Sequence, residues 1–189
     1  MDHVIVKILD WTDGRKALLA LAAYLINVFL LSLTDTPLLA LSNGQNKPDL
    51  TFGYNLQTLS DLFASYGEEG RSLYRANLII DTPFPLILAT ATILMAAYSL
   101  TRNPKVLALL SIAPAAFTVL DLIENPMLYV LVSSYPDLSP PIVMTASLVT
   151  RLKLTAVMVT YPTLAVGIMV ASFMWIRQRI NRSKGSPNR

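Results

Sequence analysis

Four long apolar runs constrain the fold of this chain more than any other feature of its sequence. They cover about 16–41, 81–100, 105–132 and 154–176, and the last has an alternative start after Pro140-Pro141. About 20 apolar residues of helix cross the roughly 30 Å hydrocarbon core of a bilayer. The runs therefore predict an all-α fold, with a single transmembrane domain over 1–189 that is a four-helix bundle. Prolines inside the runs predict kinked spans.

Composition supports a membrane protein and excludes several kinds of site. Only 14% of the 189 residues are charged and 53% are hydrophobic, whereas soluble domains are about a quarter charged. The chain has no cysteine and one histidine, His3. Disulfides, thiolate nucleophiles, His-based triads and multi-His metal sites are therefore excluded. We expect neither a metal nor a cofactor.

The basic residues flank the apolar runs, which indicates membrane orientation rather than nucleic-acid binding, although the net charge is +3. If four spans cross the membrane, ten basic residues fall on one side: Lys7, Arg15, Lys16, Arg102, Lys105, Arg177, Arg179, Arg182, Lys184 and Arg189. The positive-inside rule then predicts that both termini, including the basic tail 177–189, are cytoplasmic. The sequence does not identify which membrane holds the protein.

Two further segments have helical patterns outside the spans. Residues 4–11 mix apolar side chains with a lysine and a tryptophan, which suits an interfacial helix. Residues 56–78 place leucines at helical spacing in the loop between the first two spans. That pattern fits either an amphipathic lid or an ordinary solvated loop helix.

Four carboxylates stand inside or beside the apolar runs: Asp35, Asp81, Asp121 and Glu124. Counting helical rise from the basic flanks places all four at roughly 24 to 31 Å from the cytoplasmic ends. Ionisable residues in spans usually face a bundle interior or a wet cavity. Asp121 and Glu124 share one helix face at i and i+3, with Asn125 next to them. We therefore predict a polar pocket near the non-cytoplasmic side.

The acidic pair on the third span needs a cation, because adjacent carboxylates in a poorly hydrated site repel each other. Arg151 and Lys153 are the first candidates, and Arg71 and Arg75 from the loop are alternatives. Helix capping is an alternative role for Asp81, which stands before Thr82-Pro83. Asp35 is expected at a proline kink or helix break near the outer end of the first span.

Two stretches carry a resemblance to known families. "EEGRSLYRANLIIDTPFPL" and "LDLIENPMLYVLVSSYP", within about 67–136, resemble uncharacterised four-span membrane proteins with E-G-R-x-x-Y and D-x-x-E-N stretches. The chain is more weakly similar to the EXPERA (emopamil-binding, sterol isomerase-like) family, whose acidic residues line a lipid-accessible pocket. It departs from that family because its paired acids fall late in the third span and the family's histidines have no counterpart.

Three functions remain open from the sequence. The first is a binding protein whose pocket takes a small amphipathic or lipid-like molecule through Asp35, Asp81, Asp121, Glu124, Asn125, Arg151 and either Arg71 or Arg75. The second is a lipid- or sterol-modifying enzyme that uses Asp121 or Glu124 as general acid or base. The third is a structural membrane subunit in which the charges form a salt-bridge network. Membrane lipids are the expected partners, and a homo-oligomer remains open.

Overall fold

The structure, a computed structural model, describes residues 2–184, with side chains from 3 to 181. All regular structure in this part of the chain is helical. The last five residues of the predicted basic tail, 185–189, lie outside the described residues. Residues 2–184 form six α-helices: α1 (Asp2–Trp11), α2 (Gly14–Leu41), α3 (Leu56–Asp81), α4 (Phe84–Ser99), α5 (Pro104–Ser133) and α6 (Pro140–Lys184).

Side-chain caps explain where three of these helices begin. The Asp13 carboxylate accepts hydrogen bonds from the first backbone N–H groups of α2. Asn55 does the same for α3 and Asn103 for α5. Each cap satisfies donors that have no partner within the helix. The helix boundaries therefore follow from local chemistry that the sequence carries.

Four helical segments are long and apolar enough to span a membrane: Gly14–Leu41, Leu56–Ser99, Pro104–Ser133 and Pro140–Asn181. The prediction of a four-helix transmembrane bundle is confirmed, and the protein is a multi-pass integral membrane protein. The first and third spans match the predicted bounds within two residues. The fourth begins at Pro140 rather than at residue 154, as the alternative start had it.

The second span differs most from the prediction. Asp81 is the last residue of α3, and α4 begins at Phe84 behind Pro83 without a side-chain cap. The interpretation of Asp81 as the cap of this span is therefore wrong. The two helices meet with a bend of 36°. The 16 residues of α4 rise about 24 Å, less than the roughly 30 Å of hydrocarbon, so the end of α3 must contribute to the crossing.

Pro37 does not interrupt the first span. Pro37 lies inside α2, which runs without interruption to Leu41. The predicted helix break near Asp35 is therefore absent. Asp35 stands within the helix, two turns before its end.

Both helices predicted outside the spans are present. α1 covers the predicted 4–11 segment and buries Ile5 and Leu9. Arg102 ties it to the turn between α4 and α5, because its guanidinium donates to the Leu9 carbonyl at 2.7 Å. α3 includes the predicted 56–78 segment and buries one face, so the solvated alternative is wrong.

Apolar cores lie at different levels along the bundle axis. We call the end where α2 begins and α6 ends the terminal end. The middle core includes Ala17, Leu88, Phe117 and Leu164. The distal core, further from the terminal end, includes Leu38, Phe63, Leu128 and Val143. A third cluster joins α1 to the start of α5.

Candidate functional site

Charged residues separate the middle core from the distal core. On α5, Asp121 and Glu124 lie between Phe117 of the middle core and Leu128 of the distal core. The other spans place their charges at the corresponding level. We call this set the charged layer: Asp35, Lys47, Asp49, Asp81, Asp121, Glu124 and Lys153. Charges that the sequence places at one depth thus lie close together in the structure.

Lys153 of α6 joins the two acids of α5. Its ammonium lies 3.0 Å from Asp121 Oδ1 and also pairs with Glu124 Oε2. The Thr150 hydroxyl donates to the other oxygen of Glu124. Glu124 and Lys153 are 0% and 3% exposed. Burial on this scale makes each charge depend on its partner, because neither can turn to water.

Lys47 supplies the second cation. It lies in the connection between α2 and α3, immediately before a short 3-10 helix, Pro48–Leu50. Its ammonium lies 2.8 Å from Asp35 Oδ1 and 3.3 Å from Asp49 Oδ2. It also donates to Asn77 Oδ1 at 2.9 Å. Both Lys47 and Asp49 are buried although they belong to a connection rather than to a span. The loop therefore reaches into the bundle and closes the charged layer from the distal side.

Lys47 and Asp49 each stabilise the charged form of the other. Burial disfavours the charged form of Lys47, but the carboxylates of Asp49 and Asp35 outweigh that effect and raise its pKa above the usual range. Burial likewise favours the neutral form of Asp49. Attraction by Lys47 and Lys153, with a 2.9 Å hydrogen bond from the Tyr74 hydroxyl, nevertheless lowers the pKa of Asp49. Both groups are therefore charged at neutral pH.

Two asparagines connect the helices through the layer. Asn77 Nδ2 of α3 donates to Thr34 Oγ1 at 2.6 Å and to Asp35 Oδ1 at 2.9 Å. Asn125 Nδ2 of α5 donates to Asp81 Oδ2 and to Asp121 Oδ2, both at 3.2 Å. Each amide thus holds a carboxylate in place from a neighbouring helix.

The charged layer borders a cavity of about 240 Å³. Its polar wall is formed by Asp35, Lys47, Asp49, Asp81, Asp121 and Lys153. Its apolar wall is formed by Val28, Leu31, Phe84, Phe117, Leu154 and Val157. A cavity with one charged wall and one apolar wall matches an amphipathic molecule better than it matches water or a purely apolar chain.

A groove of about 520 Å³ lies along the same two helices, nearer the terminal end. Leu21 and Ile168 line its sides, and Met95 and Tyr98 of α4 form its floor. In the described part of the chain, α2 and α6 have no extensive interface with each other. The cavity and the groove therefore lie one after the other along α2 and α6, and we call this side of the bundle the cleft. The Tyr24 and Tyr161 side chains stand at the end of the cavity nearer the groove and contact each other there.

The structure gathers five of the residues proposed from the sequence and separates three. Asp35, Asp81, Asp121, Glu124 and Asn125 belong to the charged layer or contact it directly. Glu124 and Asn125 are not part of the cavity wall.

The three arginines stand elsewhere. Arg151 is exposed and lies against Gly53. Arg71 donates to the Phe63 carbonyl at 3.0 Å and stacks over Tyr135 near the distal core. Arg75 is half-buried on α3 and, among the described residues, forms no ion pair with a carboxylate. Of the two first candidates for the partner of the acidic pair, Lys153 makes the contacts and Arg151 does not.

Sequence reasoning missed Lys47, Asp49 and Asn77. The sequence places Lys47, Pro48 and Asp49 in the connection between the first two spans, where no periodic pattern indicates an inward-facing side chain. One signal was available, because the four acids that the sequence places at one depth outnumber the two cations near them on the spans, Arg151 and Lys153, so a further cation must come from elsewhere. That count does not say which loop residue supplies it.

The described residues contain no group of three or more His, Cys, Asp or Glu side chains arranged to hold a metal ion. No family model, curated protein or solved structure matches the chain.

Proposed function

We propose that this protein binds an amphipathic, lipid-like molecule in the cleft between α2 and α6. The polar part of the molecule occupies the cavity beside the charged layer, and its apolar part lies in the groove. The observation that carries the proposal is the succession of a charged cavity and an apolar groove along the same two spans, which have no extensive interface in the described part of the chain.

The dimensions of the cleft support a chain-bearing ligand. On α6, Ile168 of the groove stands 15 residues beyond Lys153 of the cavity. That separation corresponds to a rise of about 22 Å, compared with about 15 Å for one leaflet of hydrocarbon. A tail of one leaflet's length whose head lies at the charged layer would therefore end short of Ile168, so a ligand that occupies both the cavity and the groove must carry a longer chain.

The distribution of basic residues supports an orientation in which the cavity lies away from the cytoplasm. The positive-inside rule assigns the terminal end to the cytoplasm, because that end carries several basic residues: Arg15, Lys16, Arg102, Lys105 and Arg177. The charged layer then lies in the half of the membrane further from the cytoplasm. The ligand would be drawn from that leaflet.

A structural role is favoured for one part of the charged layer. Lys153, Asp121 and Glu124 satisfy one another, and Glu124 lies outside the cavity wall. The Lys153–Glu124 pair can fix the register of α5 against α6 at a point that the cavity does not reach. An enzymatic alternative, lipid or sterol modification by a general acid or base, would have to use Asp121, because Glu124 has no access to the cavity.

Native mass spectrometry of the protein released from nanodiscs tests the proposal. The wild type should retain a co-purifying molecule of lipid-like mass. Leu21→Trp fills the groove and should remove that molecule, whereas Leu25→Trp, on the exposed face of the same helix, should keep it. The absence of any retained molecule in the wild type, or its retention by Leu21→Trp, would contradict the proposal.

A further inference from the structure

Asp81 differs from the other carboxylates of the cavity wall. Asp35 and Asp49 pair with Lys47, and Asp121 pairs with Lys153. Among the described residues, no lysine or arginine lies within ion-pair distance of Asp81. The wall thus contains four carboxylates and two ammonium groups, and Asp81 is the carboxylate without a cation.

The geometry of Asp81 leaves one oxygen available. Its Oδ2 accepts from Asn125, but Oδ1 accepts no hydrogen bond from any described residue. The side chain is 8% exposed and borders the cavity. The Asn125 amide uses one N–H group on Asp81 and the other on Asp121, so both carboxylates are held as acceptors. Asp81 is thus a fixed, buried acceptor with a free oxygen facing the cavity.

A buried carboxylate without a counter-ion is unfavourable unless a cation or further donors reach it. The described acids do not converge as a metal-ligand set. The apolar groove follows the cavity along α2 and α6, so a cation attached to a hydrocarbon chain fits both features. A hydroxyl head group would supply a hydrogen bond but no charge.

We infer that the ligand's head group carries a protonated amine and that this ammonium pairs with Asp81. The inference rests on the proposed function and narrows it to cationic, chain-bearing amphiphiles. The other three carboxylates of the wall already pair with Lys47 or Lys153, so these lysines leave Asp81 as the acceptor for a ligand's ammonium. Asp81 is then the residue that determines head-group specificity.

The test compares two photoreactive probes that differ only in their head group. Hexadecylamine and hexadecanol, each with a diazirine near the chain end, are added separately to the full-length protein in nanodiscs. Labelled residues are located by mass spectrometry after irradiation. We expect the amine to label groove residues such as Met95 and Ile168 at least about tenfold more than the alcohol does, because only the ammonium pairs with the buried carboxylate; tenfold corresponds to about 1.4 kcal/mol of binding free energy.

Two variants assign this preference to one residue. Asp81→Asn keeps the shape of the side chain and should abolish the preference for the amine. Asp35→Asn removes the same charge from the same wall, but Asp35 already pairs with Lys47, so the preference should persist. Equal loss in both variants would overturn the assignment to Asp81.

The wild-type comparison keeps the inference falsifiable if Asp81→Asn fails to fold. Equal labelling of the groove by both probes would overturn the inference and leave the proposed function standing. Labelling of the groove by neither probe would overturn both. A preference for the amine that survives in Asp81→Asn would show that another group selects the head.

Discussion

Removal of the Lys153 ammonium should destabilise the protein more than any other single charge removal in the bundle. Lys153→Met keeps most of the side-chain volume but leaves Asp121 and Glu124 buried without their shared cation. Breaking a buried ion pair from one side costs about 3–5 kcal/mol. For a chain of this size, that loss corresponds to a fall of about 6–20 °C in the unfolding temperature.

Thermal unfolding in a mild detergent, followed by circular dichroism, measures the effect. Arg151→Met is the matched control, because Arg151 lies two residues away on the same helix and is exposed. Its free energy of unfolding should change by about 0.5 kcal/mol or less. The triple variant Lys153→Met, Asp121→Asn and Glu124→Gln should recover much of the loss, because it leaves no uncompensated charge.

The result that would refute this reasoning is a small effect at Lys153. If Lys153→Met lowers the unfolding temperature no more than Arg151→Met does, the contacts of Lys153 do not hold α5 against α6. If the triple variant is less stable than Lys153→Met, the carboxylates are not repelling each other in the single variant.

Three further predictions concern the loop and its contacts. Asn77→Ala removes donors to Thr34 and Asp35 and the acceptor for Lys47. Urea or SDS titration should therefore show a free energy of unfolding lower by about 1–3 kcal/mol. An unchanged midpoint would contradict this expectation. Gly53→Ala should also lower the free energy of unfolding by about 1–3 kcal/mol in the same titration, because φ is +88° and a Cβ would stand 2.3 Å from Arg151 Nε. Unchanged stability would contradict this loop conformation. The lowered pKa of Asp49 gives stability that is present above the unfolded pKa, about 3.9, and is lost as pH falls through the folded pKa. Asp49→Asn lacks this contribution, so its unfolding temperature should fall less on acidification than that of the wild type, and parallel pH profiles would contradict this.

The fold was predictable from the sequence because length and hydropathy decide which segments cross a bilayer. The N-terminal helix and the first and third spans follow from the same patterns and from local caps such as Asp13 and Asn103. The error at Asp81 has a local cause, because Asp-Thr-Pro is a good start signal for a helix. Whether α3 would continue to that residue depends on its burial against α2 and α5, which a local signal does not contain.

The candidate site was only partly predictable for a similar reason. Helical rise gives the depth of Asp35, Asp121 and Glu124 but not the direction in which a side chain points. Arg151 and Lys153 are two residues apart, so they stand on opposite sides of α6, about 200° apart. Only the packing of α6 on α5 decides that Lys153 faces inward. Lys47 comes from a loop, where no periodic pattern indicates a partner.

Reversible closure of the cleft between α2 and α6 tests the central claim most directly. The chain has no cysteine, so Leu21→Cys with Ile168→Cys provides a unique pair across the groove. A bis-methanethiosulfonate reagent joins the two residues, and a reductant releases them. We predict that the joined protein loses groove labelling by photoreactive hexadecylamine at Met95 and that reduction restores it, while each single-cysteine variant treated in the same way stays labelled. Undiminished labelling of the joined protein would contradict access to the site from the bilayer between these two helices.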